Sequence, residues 1–255
     1  MNARRFYPAD TLLAFLIIAP AVLLWELGVR IAHLPVYILP APTAILKTLM
    51  ENLNLYAHAS LITLEEALAG LVLGLLAGVG IAALLGMWPR LERGVMTLAI
   101  LIKSTPLVAI APLLTIWLGF GILPKVMITA LLTFFPVLVN VLSGLRSTDA
   151  AILDTFHSWH ASRWEVFLYA RAPSALPHLF AALKVTAPLA LIGAVVAEWT
   201  GASGGLGRTM WMAYTNLNLP FLFAAVFLLA AMGMILYSAV VLIERKIIFW
   251  EGNAT

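Results

Sequence analysis

The sequence predicts an all-α membrane protein with six transmembrane helices in a single domain over residues 1–255, and three observations carry that reading. Hydrophobic residues make up 63% of the chain and charged residues only 11%, where a soluble domain carries roughly 25% charge. The apolar residues gather into blocks close to the ~20 residues that cross a hydrocarbon core. Basic residues are spread unevenly between alternate loops.

The first block runs over residues 12–31. Arg4 and Arg5 precede it as in a secretory leader, and Ala19-Pro20-Ala21 mimics a cleavage site. The apolar run continues to Trp25 and further blocks follow, so an uncleaved first span is the reading adopted. Glu26 and Arg30 are four residues apart and pair near its outer end. Leu39-Pro40-Ala41-Pro42-Thr43 then breaks the chain. Thr43 is the expected cap of a short helix reaching about Leu55.

The second span is expected over residues 64–87, opened by Glu65 and Glu66. Gly70, Gly74 and Gly78 recur every fourth residue, which lets another helix approach closely. Residues 88–94 form a short loop. The third span follows over 95–118, with Lys103, Ser104, Pro106 and Pro112 inside it. Pro106 allows a kink and frees a backbone carbonyl. The fourth span, 123–145, contains Pro136 and Asn140. The fifth covers 179–199 and ends beside the glycine-rich turn 201–207, and the sixth covers 220–243.

Residues 146–177 stand apart from this pattern, being too polar for lipid and too patterned for a linker. Asp149 is placed to cap a short amphipathic turn carrying Ile152, Phe156 and Trp159. Ser162 and Glu165 form an S-x-x-E capping box that starts a second helix at Arg163. Trp164, Phe167 and Leu168 give that helix one apolar face. Pro173 and Pro177 are expected to end it. The stretch reads either as a loop lying on the bilayer or as a docking element for a soluble partner.

With the N-terminus inside, nine Lys and Arg residues fall on inner segments, among them Arg90, Arg93, Arg146, Arg163 and Arg171. Four fall outside: Arg30, Lys47, Lys125 and Arg208. The asymmetry places both termini and the 146–177 loop in the cytoplasm.

Several function classes are excluded by the same inventory. A net charge of +3, scattered along loops, does not suit nucleic acid. There is no cysteine, hence no disulfide or thiol chemistry. No G-x-x-x-x-G-K-[ST] loop occurs, so the chain has no phosphate-binding loop for ATP. H-E-x-x-H is absent, and no carboxylate pair is placed for acid–base work, so no enzyme constellation assembles.

The 146–177 loop resembles the signature loop of binding-protein-dependent ABC importer permeases. That signature reads Glu-Ala-Ala, three residues, Gly, then an apolar stretch closing in Leu-Pro. Asp154, Thr155 and Phe156 occupy the first slot, His160 the glycine slot, and Pro173 the closing proline. The first half is degenerate, while Ala161-Ser162-Arg163-Trp164 matches well. Residues 39–46, 103–121, 134–147 and 195–207 resemble the nitrate, sulfonate, taurine and pyrimidine branch of the family. Glu65 and Glu66 depart from it, since a basic residue is commoner there.

The resemblance covers nearly the whole chain. It implies the fold of a type I importer permease in a bacterial inner membrane, with coupling helices between the fourth and fifth spans. It implies a second permease subunit, most simply a copy of this chain, and separate cytoplasmic ATPase subunits that hold ATP and Mg. The chain itself then binds no cofactor and is not an enzyme. An extracytoplasmic binding protein delivers the substrate, which this branch makes a sulfonate, taurine, nitrate or a pyrimidine-type vitamin precursor. Glu198-Trp199-Thr200-Gly201-Ala202-Ser203 inclines the choice towards the pyrimidine type.

On that resemblance the ATPase-coupling residues are Asp154, Thr155, Phe156, Trp159, His160, Ser162, Arg163 and Phe167. The glycine slot asks for a left-handed residue between two helices, so His160 is expected at positive φ. The pathway candidates are Lys103, Ser104, Pro106, Asn140 and Glu198. Lys103 either lines a cavity or snorkels to the inner surface. Glu198 faces either the path or the outer interface. The competing class is a self-sufficient secondary transporter or channel, which calls for more embedded ionisable residues or an internal repeat.

Overall fold

The computed structural model describes residues 8–249, with side chains from residue 16 onward. Among the described residues the chain is helical, running α1 (Pro8–Ile31), α2 (Pro42–Glu51), α3 (Leu53–Met87), α4 (Glu92–Ser104), α5 (Leu107–Leu118), α6 (Leu123–Arg146), α7 (Ala150–Ser158), α8 (Arg163–Val166), α9 (Ala172–Glu198), α10 (Leu206–Thr215) and α11 (Leu219–Ile247). Arg4, Arg5 and Thr255 lie outside the described residues.

Four helical runs are long and apolar enough to cross a membrane: Leu53–Met87, Leu123–Arg146, Arg163–Glu198 and Leu219–Ile247. A fifth is gained if the bent pair Pro89–Ser104 and Leu107–Leu118 counts as one span. Residues 12–31, where the first span is expected, lie within the helix α1, Pro8–Ile31, which is not one of these runs. The expected third span is corrected in shape, because its halves meet at 94°. Thr105 and Pro106 are extended there, and the missing Pro106 N–H ends the α4 hydrogen-bond ladder.

The core is a three-helix sandwich of α3, α6 and α9. Gly70, Gly74 and Gly78 of α3 lie against Thr129, Thr133 and Val137 of α6. A Cβ at Gly78 would stand 2.8 Å from Val137 Cγ1, so the glycines set the approach of the two backbones. Gly193 of α9 faces Thr129 from the other side. Ala82, Leu85, Val137, Leu138, Val141 and Leu142 fill the middle of the sandwich. The outer faces of α5 and α11 remain apolar and exposed, as at Ile116, Trp117, Met234 and Ile235, which is what a lipid or subunit contact requires.

Two local readings change. Thr43 does not cap α2: the helix begins at Pro42 after Ala41, and no side-chain cap is made there. Glu26 of α1 takes that role, its Oε2 accepting from the Thr43 N–H at 3.0 Å and its Oε1 from the Thr43 hydroxyl at 2.8 Å. The same carboxylate pairs with Arg30 at 2.5 Å, as the i, i+4 spacing predicts. The proline stop also fails. α8 continues through a π-helical turn at Phe167–Arg171 into α9, with Pro173 in its first turn and Pro177 inside. A proline near the start of a helix loses little, and the wider turn just before it eases the fit.

Candidate functional site

The expected coupling loop folds as an elbow of two short helices. Arg146, at the end of α6, pairs with Glu92 at the start of α4. Asp149 caps α7, accepting from the Ala151 N–H at 2.9 Å. No residue of α7 is buried. Its apolar stripe of Ile152, Phe156 and Trp159 therefore lacks a full partner within the chain. Trp159 is 72% exposed, and its ring lies 6.0 Å from that of Phe156. Asp154 is exposed, and the Thr155 hydroxyl donates to the Ala151 carbonyl at 2.8 Å.

α7 ends in a Schellman turn. The Ala161 N–H bonds the Phe156 carbonyl and the His160 N–H bonds the His157 carbonyl, both at 3.0 Å. His160 sits at φ 55°, the left-handed position expected of the glycine slot. Its Nδ1 lies 3.2 Å from the Ser158 carbonyl. The capping box closes directly afterwards: the Ser162 N–H donates to Glu165 Oε2 at 2.7 Å, and the Glu165 N–H to Ser162 Oγ at 3.3 Å.

Beyond the box the apolar face is divided. Phe167 packs against the core, while Trp164 and Leu168 stay exposed. Trp164 meets Phe167 edge-on at 6.0 Å. Arg171 donates to the Gly86 carbonyl at 3.0 Å, tying the elbow to the end of α3. Two sequence-distant ends thereby close on one face of the molecule.

The pathway candidates separate into three places. Lys103 lies in the last turn of α4, exposed, with Nζ 4.5 Å from the centroid of the Phe135 ring. Ser104 closes that helix and Pro106 leads into α5, so the two mark the 94° break. Asn140 is half-buried on α6 and donates from Nδ2 to the Pro136 carbonyl at 2.8 Å.

Glu198 is enclosed at the end of α9, with no exposed surface. Its Oε1 accepts from the Thr63 hydroxyl at 2.6 Å, and its Oε2 from the N–H groups of Gly207 and Arg208. Thr63 Oγ1 accepts from the Leu206 N–H at 2.8 Å. The first turn of α10 is thus capped by a carboxylate and a hydroxyl from two other helices. Gly205 makes room for this at φ 100°.

Sequence reasoning missed Glu66 and Lys125. Lys125 is assigned above to an outer loop, but it is 8% exposed and bonds Glu66 at 2.6 Å. The available signal was an acid and a base at the ends of neighbouring apolar blocks. Neither is affordable in lipid alone. Tyr56 was also missed; it is fully buried and donates to the Phe221 carbonyl at 3.0 Å.

This architecture is that of a transport permease, and comparison with known proteins identifies the family. The chain belongs to the binding-protein-dependent transport system inner membrane component family, which it matches over residues 70–249. It is 33% identical to the formylaminopyrimidine transport permease of Halalkalibacterium halodurans, over 97% of this chain and 98% of that one. It is 32% identical to the riboflavin transport system permease of Chloroflexus aurantiacus, over 90% of this chain and 86% of the other. A putative aliphatic sulfonates permease of Bacillus subtilis is 29% identical, over 93% and 87%. Among solved structures, an inward-facing methionine ABC transporter shares the fold at a TM-score of 0.69 and 19% identity, over 77% of this chain and 97% of its own. The protein is therefore an ABC transporter permease of the inner membrane, and the expected branch is the one its relatives occupy.

Proposed function

We propose that two copies of this chain form the translocation path of an importer for a small heteroaromatic vitamin precursor of the pyrimidine type. Separate ATPase subunits grip the α7–α8 elbow from the cytoplasm, and a binding protein delivers the substrate on the opposite face. Both termini and the elbow lie in the cytoplasm, as the basic residues of the loops indicate.

The observation that carries this reading is the elbow itself. α7 presents Ile152, Phe156 and Trp159 without burying any residue, while Asp149, the Schellman turn and the capping box fix its orientation. α8 then runs on as part of the helical stretch Arg163–Glu198. A push on α7 is passed through Phe167 and Arg171 to the core and to the end of α3. The mechanism is a shift between two arrangements by a partner that binds them unequally. Substrate choice follows the pyrimidine-transporting relative, similar over nearly the full length of both chains.

Proteoliposomes test the proposal. Uptake of a labelled aminopyrimidine is expected only with the ATPase, ATP and binding protein all present. Uptake by this chain alone would favour a self-sufficient transporter. ATP-driven uptake of taurine but not of the pyrimidine would move the substrate to the sulfonate class.

A further inference from the structure

A cleft of about 340 Å³ opens between the end of α3 and the elbow, lined by His157, Arg163 and Arg171 above the apolar wall of Met87, Pro89 and Phe167. That volume falls at the lower end of small-molecule sites, roughly 300–1,000 Å³. Among the described residues none lining it is acidic. Of the acids near these residues in sequence, Glu92 pairs with Arg146, Glu165 is held in the capping box, and Asp154, one turn before His157, is exposed and does not line the cleft. The Gly86 carbonyl in the cleft is already taken by one guanidinium nitrogen of Arg171, which leaves the remaining donors of that group for another acceptor. Two guanidinium groups and an imidazole thus converge on a concave space with nothing negative to meet them.

The level of the cleft narrows the ligand. Trp88, Trp164 and Tyr169 lie within two residues of lining residues in sequence and are 50%, 63% and 66% exposed, the amphipathic aromatics that sit at a membrane–water interface. Arginine forks match the oxygens of a phosphate group in pairs.

We propose that this cleft binds a phosphate group, held by Arg163 and Arg171 with His157 at the rim. Its source is either an anionic phospholipid headgroup of the adjoining leaflet or free phosphate. The site is a property of the permease alone and does not depend on the ATPase-coupling reading.

The test uses the full-length chain in neutral detergent and native mass spectrometry. The probes are phosphatidylglycerol, the phosphate-free lipid diacylglycerol and inorganic phosphate. Phosphatidylglycerol is expected to be retained by the wild type and weakened about tenfold in Arg163→Gln, the scale of one charged hydrogen bond. Arg163→Lys is expected to recover part of the loss. Retention that inorganic phosphate does not displace identifies a lipid site, and displacement identifies a site for the anion itself. Equal retention by wild type and Arg163→Gln, or equal retention of diacylglycerol, would overturn the proposal. So would binding of neither anionic probe. If ATPase attachment then still depended on Arg163, an acidic protein side chain would be the occupant.

Discussion

Glu66 of α3 and Lys125 of α6 form an ion pair at 2.6 Å whose side chains are only 3% and 10% exposed. The pair locks the start of the glycine-faced packing between these helices, one turn before Gly70 meets Thr129. Two charges taken from water cost several kcal/mol each unless they meet.

Lys125→Met leaves the Glu66 carboxylate buried without its cation, which costs about 3–5 kcal/mol. The double variant Glu66→Met, Lys125→Met removes both charges and is expected to regain most of that loss. Thermal unfolding of purified protein checks this. Single variants as stable as the wild type would show that the pair holds nothing.

Glu198→Ala orphans the Gly207 and Arg208 N–H groups at the start of α10, each worth about 1–3 kcal/mol when buried. Faster amide hydrogen exchange is expected at residues 206–208 with little change in α7. Glu198→Gln is expected to fall between the two, since its amide oxygen still accepts. Unchanged exchange in Glu198→Ala would remove the capping role.

His160→Gly suits a left-handed position better than histidine and is expected to stabilise the turn by up to about 1 kcal/mol. His160→Val is expected to loosen it by at least as much, because β-branching is strained at positive φ. Coupled ATP hydrolysis should survive the glycine. Loss of coupling in His160→Gly would mean that the imidazole itself makes the contact.

Lys103→Met keeps the bulk over Phe135 but removes the cation. Assembly is expected to be normal and transport impaired, as for a charge facing the path. Wild-type transport rates in this variant would make Lys103 an anchor at the α4–α5 break.

The sequence made the short-range devices of the elbow legible. The Asp149 cap and the Ser162–Glu165 box each depend on residues within a few positions, where side-chain chemistry dictates geometry, whereas the left-handed His160 was expected from the glycine slot of the family signature that it occupies. The glycine stripe was also readable, because close approach is written in a fixed spacing. What could not be read depends on distant partners. Glu66 and Lys125 are separated by 59 positions, and Glu26 reaches Thr43 from another helix. The bend at Thr105–Pro106 is 94° rather than a mild kink, and proline alone does not set that angle. The π turn before Pro173 is likewise invisible in composition.

The central claim is that the elbow couples ATP hydrolysis to transport, and substrate-stimulated ATP hydrolysis in the reconstituted complex tests it most directly. Phe156→Asp places a charge in the exposed stripe of α7, and Arg163→Glu reverses the charge beside it at the start of α8. Both are expected to abolish the stimulation while the permease stays folded and inserted in the membrane. Stimulation at wild-type levels in both variants would contradict the claim and leave the elbow without its mechanical role.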